Sequence, residues 1–373
     1  MIATNFEITG KKRPDPVGFT DIKDFELRES GQINAEEILA NEYITLYALD
    51  FEKGQAVFVE TPPTANLSQA PFYYQAQYEN ALRVITLSFD TMIQLARFVT
   101  VNDIKLIFIH SVGRAGSTLA SLIFAQVPGV INMSEPDALT HLVAARFMQP
   151  DKQAELKALL DASIRLLCKT PVEIAWVIKG RSWLIQLGDW LHELYPQTKN
   201  LYLYRDAETW MKSMLGAFVD GVERTPDEQR QLESEVRGWM KILTPAIARY
   251  DADQHLSVTG LCTLMWLSNM ERYTELHQVG IRMLAIPYAS WKLDPRQTAL
   301  STLDYCNCCP ADLTAIEETL AKDSQAGTAL AQESVKKKPT GTQFFDLAEL
   351  NRHLQDHAYI KTADFEVANT LKL

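Results

Sequence analysis

The run from Ile104 to Gln126, IKLIFIHSVGRAGSTLASLIFAQ, constrains this chain most, because it reads as a buried strand, a tight basic glycine loop and the opening of a helix. The apolar stretch Ile104 to Ile109 suits an interior parallel strand. Gly113 and Gly116 permit backbone angles closed to other residues, and Ser117 and Thr118 begin a helix whose free N–H groups favour an anion. Arg114 adds a fixed positive charge. The loop departs from the nucleotide triphosphate signature G-x-x-x-x-G-K-[ST]. Ser117 stands where the lysine would be, and Ser111 where the first glycine would be. Without a lysine for the terminal phosphates, phosphoryl transfer from ATP is disfavoured.

A second element of the same kind follows. Asn200 to Ser213, NLYLYRDAETWMKS, reads as a strand, then Arg205-Asp206, then a helix that carries Ser213. Arg205 and Ser213 are separated by about two helical turns, which lets both converge on one phosphate. The plainer reading is an Arg-Asp pair capping a helix. Ala175 to Lys179, AWVIK, is a further buried strand ending in a lysine, which either serves an anion or simply enters solvent. Val130 to Met133 runs into Ser134-Glu135-Pro136, so Glu135 falls at the carboxyl end of a strand, the end where ligands bind in parallel sheets. Alternatively, Ser134 caps a helix beginning near Pro136, with Glu135 and Asp137 complementing its dipole.

Taken together, these motifs resemble the 3′-phosphoadenosine 5′-phosphosulfate (PAPS) dependent sulfotransferase superfamily, and by spacing the tyrosylprotein-type and related bacterial enzymes. The loop S/G-R-x-G-[ST]-[ST] matches the family's 5′-phosphosulfate element, and R-D-x(6)-S its 3′-phosphate element. WVIKGRSWLIQLGDWLHELYP resembles V-x-K-x-P-x(n)-L-x-x-L-x-x-x-F-P, with Gly180-Arg181-Ser182 where the proline is usual. The resemblance implies an α/β, P-loop-like sulfotransferase fold, a parallel central sheet flanked by helices, with an N-terminal extension. It implies donor contacts from Gly113, Arg114, Ala115, Gly116, Ser117, Thr118, Arg205 and Ser213. Asp323 to Pro339, DSQAGTALAQESVKKKP, resembles a loop that closes over the nucleotide, with Ser324, Lys337 and Lys338 as its contacts; an ordinary solvated loop has the same composition. Glu135, 21 residues after Arg114, takes the general-base position, and Arg114 and Lys179 neutralise charge on the transferred group. His141 and His110 are alternatives for the base. PAPS is the donor, PAP (the 3′,5′-bisphosphate) the product, and no metal is required. The acceptor is a hydroxyl or amine on a small molecule, glycan or peptide. Asp206 also fits the metal-supporting acid of a kinase or NTPase, and a noncatalytic nucleotide-binding module is the other alternative.

Composition sets the limits. The 373 residues are 47% hydrophobic, enough for one large core or two domains. With 36 basic against 47 acidic residues the net charge is −11, which argues against an extended nucleic-acid surface while allowing a local basic pocket. No apolar run reaches membrane-spanning length and the N-terminus lacks a secretory pattern, so the cytoplasm is the expected location. Cys306, Cys308 and Cys309 read as core thiols rather than a zinc site. Residues 1–100 form the extension, expected as a hairpin of YITLYALDF and QAVFVE followed by a helix over Pro71 to Phe98; residues 101–373 form the sulfotransferase domain. The extension's open roles are shaping the acceptor site, forming a homodimer or buttressing the sheet. Beyond it, alternating strands and helices predict a parallel sheet, then a helical block over 227–279 and a last strand at Ile281 to Pro287. Trp239 and Trp266 in that block are expected as packing residues.

Overall fold

The computed structural model describes residues 1–219, 221–222, 224–249, 255–310, 312–336 and 341–373. Its strands form two five-stranded sheets. The first contains β1 (Ile2–Lys11), β2 (Phe25–Asn34), β3 (Ile44–Asp50), β4 (Gln55–Glu60) and β5 (Arg83–Ser88) in the order β2-β1-β5-β4-β3. All four of its pairings are antiparallel. The expected hairpin is β3 and β4. The helix expected over Pro71 to Phe98 is instead a helix Tyr73–Asn80, the strand β5 and a helix Phe89–Ala96. Val84, Ile85 and Thr86 are β-branched, and β5 lies between β1 and β4, where such side chains pack on both faces. Ser88 then caps the next helix by accepting the Thr91 N–H at 3.2 Å. β1 and β2 had no counterpart among the expected elements. Phe25, Tyr47, Val57, Val59 and Val84 form the buried cluster under this sheet.

The second sheet contains β6 (Leu106–Ser111), β7 (Val130–Ser134), β8 (Ala175–Lys179), β9 (Lys199–Tyr204) and β10 (Leu284–Pro287) in the order β10-β9-β6-β8-β7. β9 with β10, and β7 with β8, run parallel. Every residue of β6 and β8 is buried, and the apolar runs Leu106–Ile109 and Ala175–Ile178 inside them are what the sequence shows; the strand expected from Ile104 begins at Leu106, Ile104 being exposed in the short 3-10 turn Asp103–Lys105. Helices Ser117–Phe124, Ala138–Met148, Gln153–Leu167, Gly188–Leu194 and Ala207–Phe218 flank the strands, giving the expected α/β alternation. The helical block is two helices, Pro226–Met240 and Val258–Gln278; Trp266 is fully buried, whereas Trp239 is 43% exposed and so is no core residue.

The chain divides into two compact units: Met1–Phe108 with Ser121–Leu184 and Trp190–Lys199, and Ile109–Ala120 with Ile185–Asp189 and Asn200–Leu373. All five cysteines are free thiols, Cys309 alone being exposed. Among the described residues no helix is long and apolar enough to cross a membrane, and no group of three or more metal-ligating side chains assembles.

Candidate functional site

In the second unit, β6 gives way to the loop Val112–Gly116 and then to the helix Ser117–Phe124. Gly113 and Gly116 adopt φ of 76° and 86°, and Arg114 between them has φ 49°, a left-handed angle that a side chain rarely accepts. Neighbours hold it there. The Val112 N–H donates to the Leu203 carbonyl at 3.1 Å, and Trp210 Nε1 donates to the carbonyls of Val112 and Gly113 at 3.1 and 3.0 Å. Ser111 Oγ accepts the Gly113 N–H at 3.3 Å and donates to Ser117 Oγ at 3.2 Å. A Cβ on Gly116 would stand 3.3 Å from the Trp291 ring, so close packing as well as φ selects glycine. Ala115, Ser117 and Thr118 are buried.

Two arginines of this unit meet at the loop. Arg114 Nε donates to Ser213 Oγ at 3.1 Å and its Nη1 to Gln325 Oε1 at 2.7 Å. Arg205 Nη1 donates to the Arg114 carbonyl at 3.3 Å, its guanidinium lies 4.4 Å from the centre of the Tyr288 ring, and Trp266 Nε1 holds the Arg205 carbonyl at 2.9 Å. Asp206 caps the helix Ala207–Phe218, accepting the Thr209 N–H at 2.8 Å. The Arg-Asp pair therefore divides its work: the acid caps, and the arginine turns to the loop. Ser213 is in place, but its partner is Arg114 rather than Arg205.

Electrostatically the pair of arginines is incomplete. Burial, then the positive charge of Arg205, pushes the Arg114 guanidinium below its ordinary range. Burial does the same to Arg205. The side-chain partners of Arg114 are neutral, Ser213 and Gln325, so its lost hydration is only partly offset.

In the segment expected to cover the nucleotide, Gln325 reaches Arg114, one residue beyond Ser324. Asp323 closes this turn by accepting the N–H groups of Gln325 at 3.1 Å and Gln332 at 2.8 Å, and its charge favours the Arg114 cation. Nothing local in the sequence distinguishes Gln325, because its partner is 211 residues away. Lys337 and Lys338 lie outside the described residues.

In the first unit, β7 ends at Ser134 and the next residue, Glu135, has φ 62°. The Glu135 N–H donates to the Lys179 carbonyl at 2.5 Å, and the two side chains form an ion pair. Arg181 Nε sits 2.7 Å from Asp137 Oδ1 and 4.0 Å from Glu135 Oε2. Ser134 does not cap a helix; its Oγ donates to the Pro71 carbonyl at 2.6 Å. Asp137 precedes the helix Ala138–Met148 but makes no side-chain cap, and its Oδ2 accepts the Thr20 N–H at 2.7 Å. Burial pushes the Asp137 carboxyl up, but Arg181, His141 and the Thr20 N–H outweigh it and hold the group below the usual carboxylate range. Arg181 had no role in the expected site, and Asp137 was read only as complementing a helix dipole; their partners lie far off in the chain, at Val17 to Thr20, where no local pattern marks them.

The two histidines are engaged elsewhere. His141 Nδ1 accepts the Leu49 N–H at 3.0 Å, and the ring also bonds the Thr20 backbone, which ties it to the N-terminal chain. His110, fully buried in β6, is pushed down to about 4 by burial, so its ring is neutral near pH 7.

No family model matches the chain, and neither does any curated protein. Solved structures do. Sulfotransferases are among the solved structures it resembles. A sulfotransferase domain from the curacin biosynthetic pathway is 15% identical, with 69% of this chain and 93% of that one covered at a TM-score of 0.35. A sulfotransferase from Alicyclobacillus acidocaldarius is 15% identical, with 67% and 89% covered at 0.37. The sulfotransferase STF9 from Mycobacterium avium is 10% identical, with 74% and 82% covered at 0.38.

Proposed function

We propose that this chain is a sulfotransferase that moves a sulfuryl group from PAPS to a hydroxyl or amine. The observation that carries the reading is the glycine loop on which Arg114 and Arg205 meet, both partly desolvated, with Ser213 bonded to the first. Two guanidiniums, hydroxyls and a helix N-terminus form a donor set suited to phosphate and sulfate oxyanions. The loop has no lysine for a triphosphate, which weighs against a kinase or NTPase.

In this reading the residues divide by role. Arg114, with the backbone of Gly113 to Gly116 and the hydroxyls of Ser117 and Thr118, binds the 5′-phosphosulfate and stabilises charge that grows on it. Arg205 and Ser213 take the 3′-phosphate. The donor supplies the sulfuryl group, which passes to the acceptor oxygen or nitrogen, and PAP is the other product. Glu135 accepts the proton the acceptor loses. Lys179, paired with Glu135, fixes that carboxylate in place. Cationic side chains do the neutralising, so the scheme asks for no metal. Incubation with PAPS labelled in its sulfuryl group, against a panel of phenols, alcohols and amines, is the test: labelled product with stoichiometric PAP supports the reading, and release of phosphate from ATP with magnesium instead contradicts it.

A further inference from the structure

We infer that Arg181 is a positioning residue for Glu135, and that it works by clamping residues Val17–Thr20 to the Glu135–Asp137 turn. The inference rests on the reading of Glu135 as the base. It starts from the contacts of the buried Arg181 guanidinium, which reach all three of its nitrogens. Arg181 Nη1 donates to the Val17 carbonyl at 2.7 Å and Nη2 to the Gly18 carbonyl at 2.8 Å, while Nε faces Asp137 at 2.7 Å and Glu135 at 4.0 Å. Its plane lies 4.4 Å from the centre of the Tyr74 ring and 5.5 Å from that of Phe19. A lysine offers one point charge and cannot bond two carbonyls while lying against a carboxylate.

The segment being held is gripped from its other side as well. Arg13 Nη2 donates to the same Gly18 carbonyl at 2.7 Å and Nε to the Asp15 carbonyl at 3.2 Å, and Nη1 reaches Asp24 and Tyr47 at 3.3 and 3.0 Å. Thr20 closes the clamp through Asp137. The Gly180 backbone leaves no room for variation, since a Cβ there would fall 2.3 Å from that of Leu184. The charges also balance: Glu135 and Asp137 face Lys179 and Arg181, and the four side chains are 14%, 0%, 3% and 10% exposed, too little for water to replace a lost partner. Glu135, at a left-handed φ, depends on such neighbours to stay in one orientation.

The test compares Arg181→Lys, Arg181→Met and the double variant Arg181→Met with Asp137→Asn, which avoids an uncompensated buried carboxylate. Amide hydrogen exchange over residues 17–21, bisphosphate affinity, and kcat separated from the KM for donor are measured on the full chain. The clamp predicts exchange faster by about tenfold at Thr20 and its neighbours in the double variant. It predicts a kcat lower by roughly tenfold or more, bisphosphate affinity within about twofold of the parent, and partial recovery of kcat in Arg181→Lys. Unchanged exchange and unchanged kcat in a folded double variant overturn the clamp. A parallel loss of bisphosphate affinity overturns it too, as a general destabilisation. Absence of sulfuryl transfer in the parent protein overturns the reading of Glu135 as base, and the positioning role with it.

Discussion

Arg114 and Arg205 repel each other at the glycine loop, and burial strips both of water that would screen the repulsion. Asp323 near Arg114 and Asp206 near Arg205 offset part of this cost, and in the proposed reading the donor's anionic groups offset the rest, which makes each arginine a separate handle on donor binding. Arg114→Ala and Arg205→Ala should each weaken bisphosphate binding by about 2–3 kcal/mol, measured by calorimetry, the loss expected for a charge-assisted hydrogen bond in a partly buried site. The Arg205 effect should vanish with 5′-AMP, which lacks the 3′-phosphate; an equal loss for both ligands would remove Arg205 from that role. Glu135→Gln keeps size and removes the proton acceptor, so transfer should fall by ~100-fold or more at nearly unchanged donor affinity. Normal turnover in that variant would exclude Glu135 as the base. At this scale the sequence was informative about residue types and silent about partners. Arg205 and Ser213 read as a pair because they stand eight positions apart, about two helical turns, yet Ser213 bonds Arg114, 99 residues away, a contact no local pattern encodes.

At the scale of elements, the loop is held by β9 at Leu203, by Trp210 of the helix Ala207–Phe218 and by Trp291 against Gly116. Gly116→Ala would place a side chain at φ 86° and 3.3 Å from Trp291. It should destabilise the protein by about 1–2 kcal/mol in denaturant titration and weaken bisphosphate binding in the same variant. Full stability and full affinity would show that the loop tolerates other conformations. Buried parallel strands announced themselves through unbroken apolar runs such as Leu106–Ile109 and Ala175–Ile178. The strand β5 did not. Tyr78, Ala81, Leu82, Ile85 and Phe89 happen to recur at helical spacing, and only the pairing of β5 with both β1 and β4 decides the matter. Only Ala3 of β1 and Phe25 of β2 are buried, so these strands lack the apolar signature that reveals a strand in sequence.

On the scale of the whole molecule, each compact unit carries its own charge problem, and that of the second reaches into its core. His110 is buried and pushed down to about 4, against an ordinary value near 6.5, so protonation favours the unfolded chain. Its contribution is fully present above pH ~6.5 and is lost as pH falls toward 4, amounting to about 3 kcal/mol over that interval. Denaturant titrations at pH 7.5 and 4.5 should therefore show a smaller drop for His110→Gln than for the parent; an equal drop would assign the acid sensitivity elsewhere. A net charge of −11 gave no hint of where a basic site would lie, since composition averages over the fold. The loop did. The central claim is that this loop takes a 3′,5′-bisphosphorylated adenosine, and it is tested most directly by calorimetric titration of the full chain with 3′,5′-adenosine bisphosphate, beside 5′-AMP and ATP with magnesium. Tight binding of the bisphosphate, with 5′-AMP weaker and ATP with magnesium weaker still, is the predicted result; preference for ATP with magnesium would contradict the account.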